Sequence, residues 1–279
     1  MRAPFRTAEL QLRAVKRVLP RGGIPLRDRL APADERMVFV FGSPRSGTTF
    51  LAQAVASLPG FVDLGEVPPL KALVPVLADV EEDAAAARIR RTLDTTRRLG
   101  LVGRRRAVEQ TPEAAFVARA LGRAYPRATL VHIVRDGRDV VCSLLERGWL
   151  SAGRDGADDA GNPYGPAPRF WVEPERREEF ARVSDATRAA WAWRRYVSAA
   201  RAAVAGAVEV RYERLDTERD AVASELAERL GVAAAPLTAA LGAAHGASVG
   251  RFRRDLTQEQ LADVEREAGE LLASFGYVD

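Results

Sequence analysis

The chain has 279 residues, 29% of them charged and 47% hydrophobic, enough for one good core or two small ones. No apolar run approaches membrane-spanning length, and with Cys142 as the only cysteine an intramolecular disulfide and a secreted disulfide framework are excluded. The net charge of +4 is carried by arginines, which suits an acidic partner. No basic stripe interleaved with aromatics argues for a nucleic-acid binder.

Residues 1–20 are dotted with arginine and lack a signal peptide's apolar core. They read as a basic helix docked on its own domain or on a dimer partner, with a peripheral membrane contact as the lesser alternative. The predicted division is a basic helical extension over 1–35 and a single domain over 36–279, in a cytoplasmic protein. Strands are predicted near 37–41, 61–64, 106–109, 129–134 and 207–211. Helices are predicted at 47–57, 70–78, 84–98, 113–123, 138–147 and 178–204. Alternating strands and helices give an α/β fold, a parallel sheet of about five strands flanked by helices in three layers. The strand C-termini then share one edge, where ligands bind. Residues 150–177, rich in Gly, Pro, Asp and Arg, read as an acceptor-side loop or lid. Thr257 to Phe275 reads as a helix opened by a capping box, Thr257-Gln-Glu-Gln260.

The segment Met37-Val-Phe-Val-Phe-Gly-Ser-Pro-Arg-Ser-Gly-Thr-Thr-Phe-Leu-Ala52 carries most of the information. It is an apolar strand broken at Gly42, then a helix expected to start near Ser46, an N-cap residue type. Strand, glycine loop and helix together hold phosphates on a helix N-terminus. The loop resembles a Walker A motif, but Gly47-Thr48-Thr49 stands where Gly-Lys-[Ser/Thr] is wanted. It should bind an anion without handling a magnesium nucleoside triphosphate in the usual way. A second strand, Thr129 to Val134, breaks at Arg135, and Ser143 follows in the next helix. Arginine offers a phosphate a bidentate fork, and the hydroxyl adds a neutral donor.

These two segments, in this order, resemble the sulfotransferases that use 3′-phosphoadenylyl sulfate (PAPS), especially the bacterial and tyrosyl-protein branch. Ser43, Pro44, Arg45, Ser46, Gly47, Thr48 and Thr49 resemble their 5′-phosphosulfate loop. Arg135 and Ser143 resemble their 3′-phosphate pair. Leu64-Gly65-Glu66 is similar to an acidic turn after the second strand. Val208 to Leu215, with Tyr212, is similar to the Tyr-Glu-Asp-Leu element, Arg214 replacing the aspartate. Ser248-Val-Gly-Arg251-Phe-Arg-Arg254 is similar to a late basic loop that closes over the donor. The resemblance implies transfer of a sulfonyl group from PAPS to a hydroxyl of a small molecule, glycan or lipid, releasing 3′-phosphoadenosine 5′-phosphate. It implies Glu66 as base, Arg45 as the cation at the leaving phosphate, and no metal.

Each residue also has a plainer reading. Glu66 is otherwise a solvated turn glutamate. Arg135 is otherwise a partner of Asp139, Tyr212 an anchor for the helix after it, and Arg251 part of a solvated run with Arg253 and Arg254. His132, inside a strand, belongs to a packed face, and His245 has no obvious partner. Glu109 is the reserve base. Gln110 stands where many bacterial members carry a lysine beside Thr-Pro, which removes a cation from that turn. A P-loop kinase acting on a small alcohol and a non-catalytic nucleotide-binding module are the alternative functions.

Overall fold

The computed structural model describes residues 3–19, 25–203, 206–243 and 248–277; His245 lies outside the described residues. The strands are β1 (Val38–Phe41), β2 (Phe61–Gly65), β3 (Arg106–Glu109), β4 (Thr129–Val134) and β5 (Val208–Arg211). They form one parallel sheet in the order β2-β3-β1-β4-β5. The central strand β1 is buried along its whole length, as expected of a parallel strand covered on both faces.

Side chains alternate across the sheet, and this divides the core. Met37, Phe39 and Phe41 pack with the helices Pro68–Leu77 and Glu82–Leu99. Val38 and Val40 pack on the other face with the helices Thr48–Ala56 and Arg219–Leu230. Each buried phenylalanine contributes on the order of 1.5–3 kcal/mol. A third cluster joins the helices Gly137–Arg147, Asp185–Ala203 and Gln258–Ser274 around Trp193 and Leu272. The N-terminal helix Ala3–Val18 buries Leu10, Ala14, Val15 and Val18. It packs on the helices Pro68–Leu77 and Glu82–Leu99 and on β2. Its apolar face is therefore used within its own chain.

The helices Arg219–Leu230 and Ala234–Leu241 are not among the predicted elements, and three predicted helices differ from the observed ones. The helix after the glycine loop is capped by Gly47, not Ser46, and has no side-chain cap. The segment predicted as one helix over 113–123 opens as a 3-10 turn, Pro112–Val117, before the α-helix Ala118–Ala124. The segment predicted over 178–204 is two helices, Arg177–Arg182 and Asp185–Ala203. Val183 is extended there, and the Ser184 hydroxyl accepts from the Thr187 N–H at 3.1 Å, restarting the helix as an N-cap does. The capping box at Thr257 and Gln260 is formed as predicted.

Candidate active site

The loop after β1 is shaped by close approaches. A Cβ on Gly42 would stand 2.2 Å from the Ile133 carbonyl, and one on Gly47 would stand 2.6 Å from the Tyr212 ring. Arg45 and Gly47 both hold positive φ, at 71° and 96°. Such left-handed residues in a turn gather backbone N–H groups into an anion-binding concavity, here at the N-terminus of Thr48–Ala56. Ser43 and Ser46 are fully buried, and the Ser46 hydroxyl has no hydrogen-bond partner. The Ser43 hydroxyl donates to the Pro44 carbonyl.

The end of β4 brings the second group to the same place. Arg135 is 6% exposed, lies 4.7 Å over the Tyr212 ring and donates from Nη2 to the Ser248 carbonyl. Its Nε is buried without a partner. Asp139 stands 3.6 Å from Arg135 but is committed to the late loop, accepting from Gly250 N–H at 2.7 Å and Phe252 N–H at 3.0 Å. Asp139 therefore ties the late loop down more than it neutralises Arg135. Across the opening, Arg45 Nε donates to the Ser143 hydroxyl at 2.9 Å. Burial, with the nearby charges of Arg147 and Arg135, pulls the Arg45 pKa below its ordinary value. Cations crowded this way favour an anion between them. A cleft of about 360 Å³ is lined by Arg45, Thr48, Thr49, Arg135, Ser143 and Tyr212, with Ser248 and Arg251 at its late-loop side. Arg251 enters it already paired with Glu146 and Asp255.

The loop's other flank opens into a second cavity of about 370 Å³, which shares Arg45, Thr48 and Thr49 with the first. Glu66 lines this cavity. Its position follows from a register shift between β2 and β3 at Asp63/Gly65, a bulge closed by the Gly65 N–H donating to Asp63 Oδ1 at 2.7 Å. Bulges re-aim the side chain that follows. Gly65 holds a φ of 63°, with the Arg17 guanidinium against it, and Arg17 donates to the Glu66 carbonyl at 3.2 Å. The Glu66 carboxylate accepts from Lys71 Nζ at 2.6 Å.

A sulfotransferase family model matches residues 77–236, more than half of the chain. The chain belongs to the sulfotransferase family. Solved structures carry the same fold. This sulfotransferase aligns with the sulfotransferase domain of the Synechococcus PCC 7002 olefin synthase at 15% identity, covering 94% of this chain and 98% of that one, with a TM-score of 0.52. It aligns with the sulfotransferase domain of the curacin biosynthetic pathway at 14% identity, 86% and 98% coverage and a TM-score of 0.53. Sulfotransferase STF9 from Mycobacterium avium gives 15% identity, 98% and 86% coverage and a TM-score of 0.50. No curated protein matches the sequence.

The sulfotransferase fold thus gathers Arg45, Gly47, Thr48, Thr49, Arg135, Ser143, Tyr212, Ser248 and Arg251 around one cleft, with Pro44 and Glu66 on its neighbour, while Ser43 and Ser46 are buried and line neither. Arg253 and Arg254 lie elsewhere, over Phe252 and against Asp255. His132 packs on Phe41 and stands 3.3 Å from Glu209, whose carboxyl it helps pull down to about 2. Sequence reasoning missed Lys71, Glu113 and Asp158, which line the second cavity. Sequence reasoning named Gln110 only for the lysine it replaces; its Oε1 accepts from the Thr49 hydroxyl at 3.0 Å. The residue that removes a cation from this turn fixes a loop threonine instead.

Glu109 lines neither cavity. It is fully buried and accepts from Thr111 N–H at 3.1 Å, from the Thr111 hydroxyl and from Val67 N–H at 3.3 Å. That is the role of a turn buttress, not of the reserve base. Burial raises its pKa to about 7 against these hydrogen bonds. Folded protein then keeps a proton that the unfolded chain releases above its ordinary value of 4.5. The contribution of this group is therefore full below about pH 4.5 and lost as pH rises through about 7, by roughly 3 kcal/mol in all. Glu109→Gln should remove that part of the decline. Denaturant midpoints of both proteins between pH 5 and pH 8 check this; parallel curves would contradict it.

Proposed function

We propose that this chain transfers a sulfonyl group from PAPS to a hydroxyl acceptor, with the donor in the cleft of Arg45 and Arg135 and the acceptor in the cavity of Glu66. The observation that carries the donor reading is the pairing of a phosphate-type loop with a second, separate cationic site. Arg135 lines the cleft, and its Nε is buried without a partner. Burying an unsatisfied polar group costs on the order of 1–3 kcal/mol, so it is a place for a ligand oxygen. A nucleotide with phosphates at both its 5′ and 3′ positions would engage the loop and Arg135 together, and Tyr212 offers a ring at the edge of the cleft.

The acceptor oxygen attacks sulfur, a new O–S bond forms, and the bond from sulfur to the bridging phosphate oxygen breaks. Glu66 takes the hydroxyl proton. Arg45, the loop N–H groups and the Thr48 hydroxyl hold the charge left on the departing phosphate, while the Thr49 hydroxyl stays on Gln110. Lys71 keeps the Glu66 carboxylate oriented. The loop 150–177 supplies the far wall of the acceptor cavity through Leu150, Asp158, Tyr164 and Trp171. The division into an extension over 1–35 and a transferase domain over 36–279 belongs to the same proposal. In it the extension abuts the base, since Arg17 lies on the Gly65–Glu66 turn.

Arginine, backbone and hydroxyl groups provide the electrostatics that a magnesium ion provides in a kinase. Transfer from labelled PAPS should therefore persist at full rate in excess EDTA. A strict need for magnesium and ATP would favour the small-alcohol kinase instead.

A further inference from the structure

The acceptor cavity is acid-rich in a way the transfer itself does not require. Four carboxylates line it: Glu66, Glu113, Asp158 and Asp159. Lys71 stands among them, with Nζ 2.6 Å from Glu66, 3.5 Å from Asp158 and 3.8 Å from Asp159. Burial alone would lower the Lys71 ammonium, yet Glu113, Glu66 and Asp158 together hold it above its ordinary value. Asp158 is also satisfied within its own loop, accepting from Ala160 N–H at 3.0 Å, Asn162 N–H at 2.9 Å and Asn162 Nδ2 at 3.0 Å, which leaves one lysine to answer Glu66, Glu113 and Asp159. Arg169, the other cation beyond the phosphate loop, stands 5.8 Å over the Tyr164 ring.

Glu113 is a separate sign that a ligand group is missing from this inventory. It is 5% exposed, and its Oε2 is buried without a hydrogen-bond partner. Burial pushes its pKa up, against the pull of Lys71. A metal ion is a poor candidate for the missing cation. Among the described residues no group of three His, Cys, Asp or Glu side chains is placed to hold one. The remaining walls suit an organic cation. Trp171 and Tyr196 meet edge to face at 5.9 Å, and Trp149 and Tyr164 stack at 6.5 Å and already draw cations, Arg45 at 5.9 Å over the first and Arg154 at 4.5 Å over the second. Aromatic faces attract ammonium groups as well as covering apolar carbon.

We infer that the acceptor is a small amine-bearing alcohol, such as an amino alcohol or an amino sugar, whose ammonium group is held by Glu113 and Asp159 while its hydroxyl faces Glu66. This rests on the sulfonyl-transfer reading above. The carboxylates give charge selection, the aromatic rings cover the carbon skeleton, and the volume of about 370 Å³ accommodates a small molecule.

The test is a labelled-PAPS transfer assay on matched pairs: glucosamine, tyramine and 4-aminocyclohexanol, each beside its N-acetyl derivative. At least one amine should be preferred over its acetylated twin by about tenfold or more in kcat/KM, the equivalent of one favourable charge contact. Asp159→Asn, at a half-exposed position, should shrink that ratio several-fold, and Glu113→Gln should do the same. Binding of 3′-phosphoadenosine 5′-phosphate, measured on every variant, separates the two levels. If that nucleotide binds but transfer is indifferent to the amine, favours the neutral twins or never reaches an amine, the inference is overturned and the transferase reading stands. If the nucleotide does not bind, the transferase reading itself fails.

Discussion

Glu66→Gln should lower turnover by roughly a hundredfold or more, the usual worth of a positioned base, while leaving donor affinity nearly unchanged. Glutamine keeps the length of the side chain and an oxygen that can accept from Lys71, which stands 2.6 Å from the native carboxylate. It cannot take the acceptor's proton. The bulge at Asp63/Gly65 that aims residue 66 is made by backbone and by Asp63, so the substitution leaves it intact. Pre-steady-state transfer rates and calorimetric donor binding check the two halves separately. Near-normal turnover would return Glu66 to an ion pair with Lys71 and no more.

Arg135→Ala should cost the 3′-phosphorylated nucleotide about 2 kcal/mol or more, roughly thirtyfold in Kd, as expected for removing one partner of a buried charged contact. Adenosine 5′-phosphate should lose little, because the loop 43–49 is untouched. Arg135 also lies over Tyr212 and donates to the Ser248 carbonyl, so some loosening of the late loop is expected with either nucleotide. The diagnostic quantity is thus the ratio of the two affinities, read by calorimetry on the variant and the parent protein. A common loss for both nucleotides would make Arg135 a support for the loop and not a phosphate ligand.

The strands were readable because a parallel strand buried on both faces is a short apolar run ended by a turn. β3 and β4 fall on the predicted residues, and β1 and β5 start one residue later. Part of the first cleft was readable because residues 45–49 and 135–143 are two contiguous segments at strand ends, whereas Tyr212, Ser248 and Arg251 come from later segments and were named only through the family resemblance. The second cavity was not readable. Lys71, Glu113 and Asp158 come from a helix, a 3-10 turn and an irregular loop, and only the tertiary fold brings them together. One signal was present: Lys71 is one of only two lysines in a chain that otherwise uses arginine for its positive charge. Glu109 misled for the opposite reason. It has the right residue type at a strand end, but Thr111 and Val67 claim its carboxylate before solvent or substrate can. Gln110 read as the loss of a cation because residue type alone does not reveal a hydrogen bond to Thr49.

The central claim is that the cleft holds a nucleotide phosphorylated at both ends. Thermal unfolding of the full chain with saturating 3′-phosphoadenosine 5′-phosphate, beside adenosine 5′-phosphate at the same concentration, tests it most directly, because a ligand of the native state raises the midpoint in proportion to its affinity. The account predicts a rise of several degrees with the first nucleotide and a clearly smaller one with the second. Equal shifts, or none with either, would contradict it.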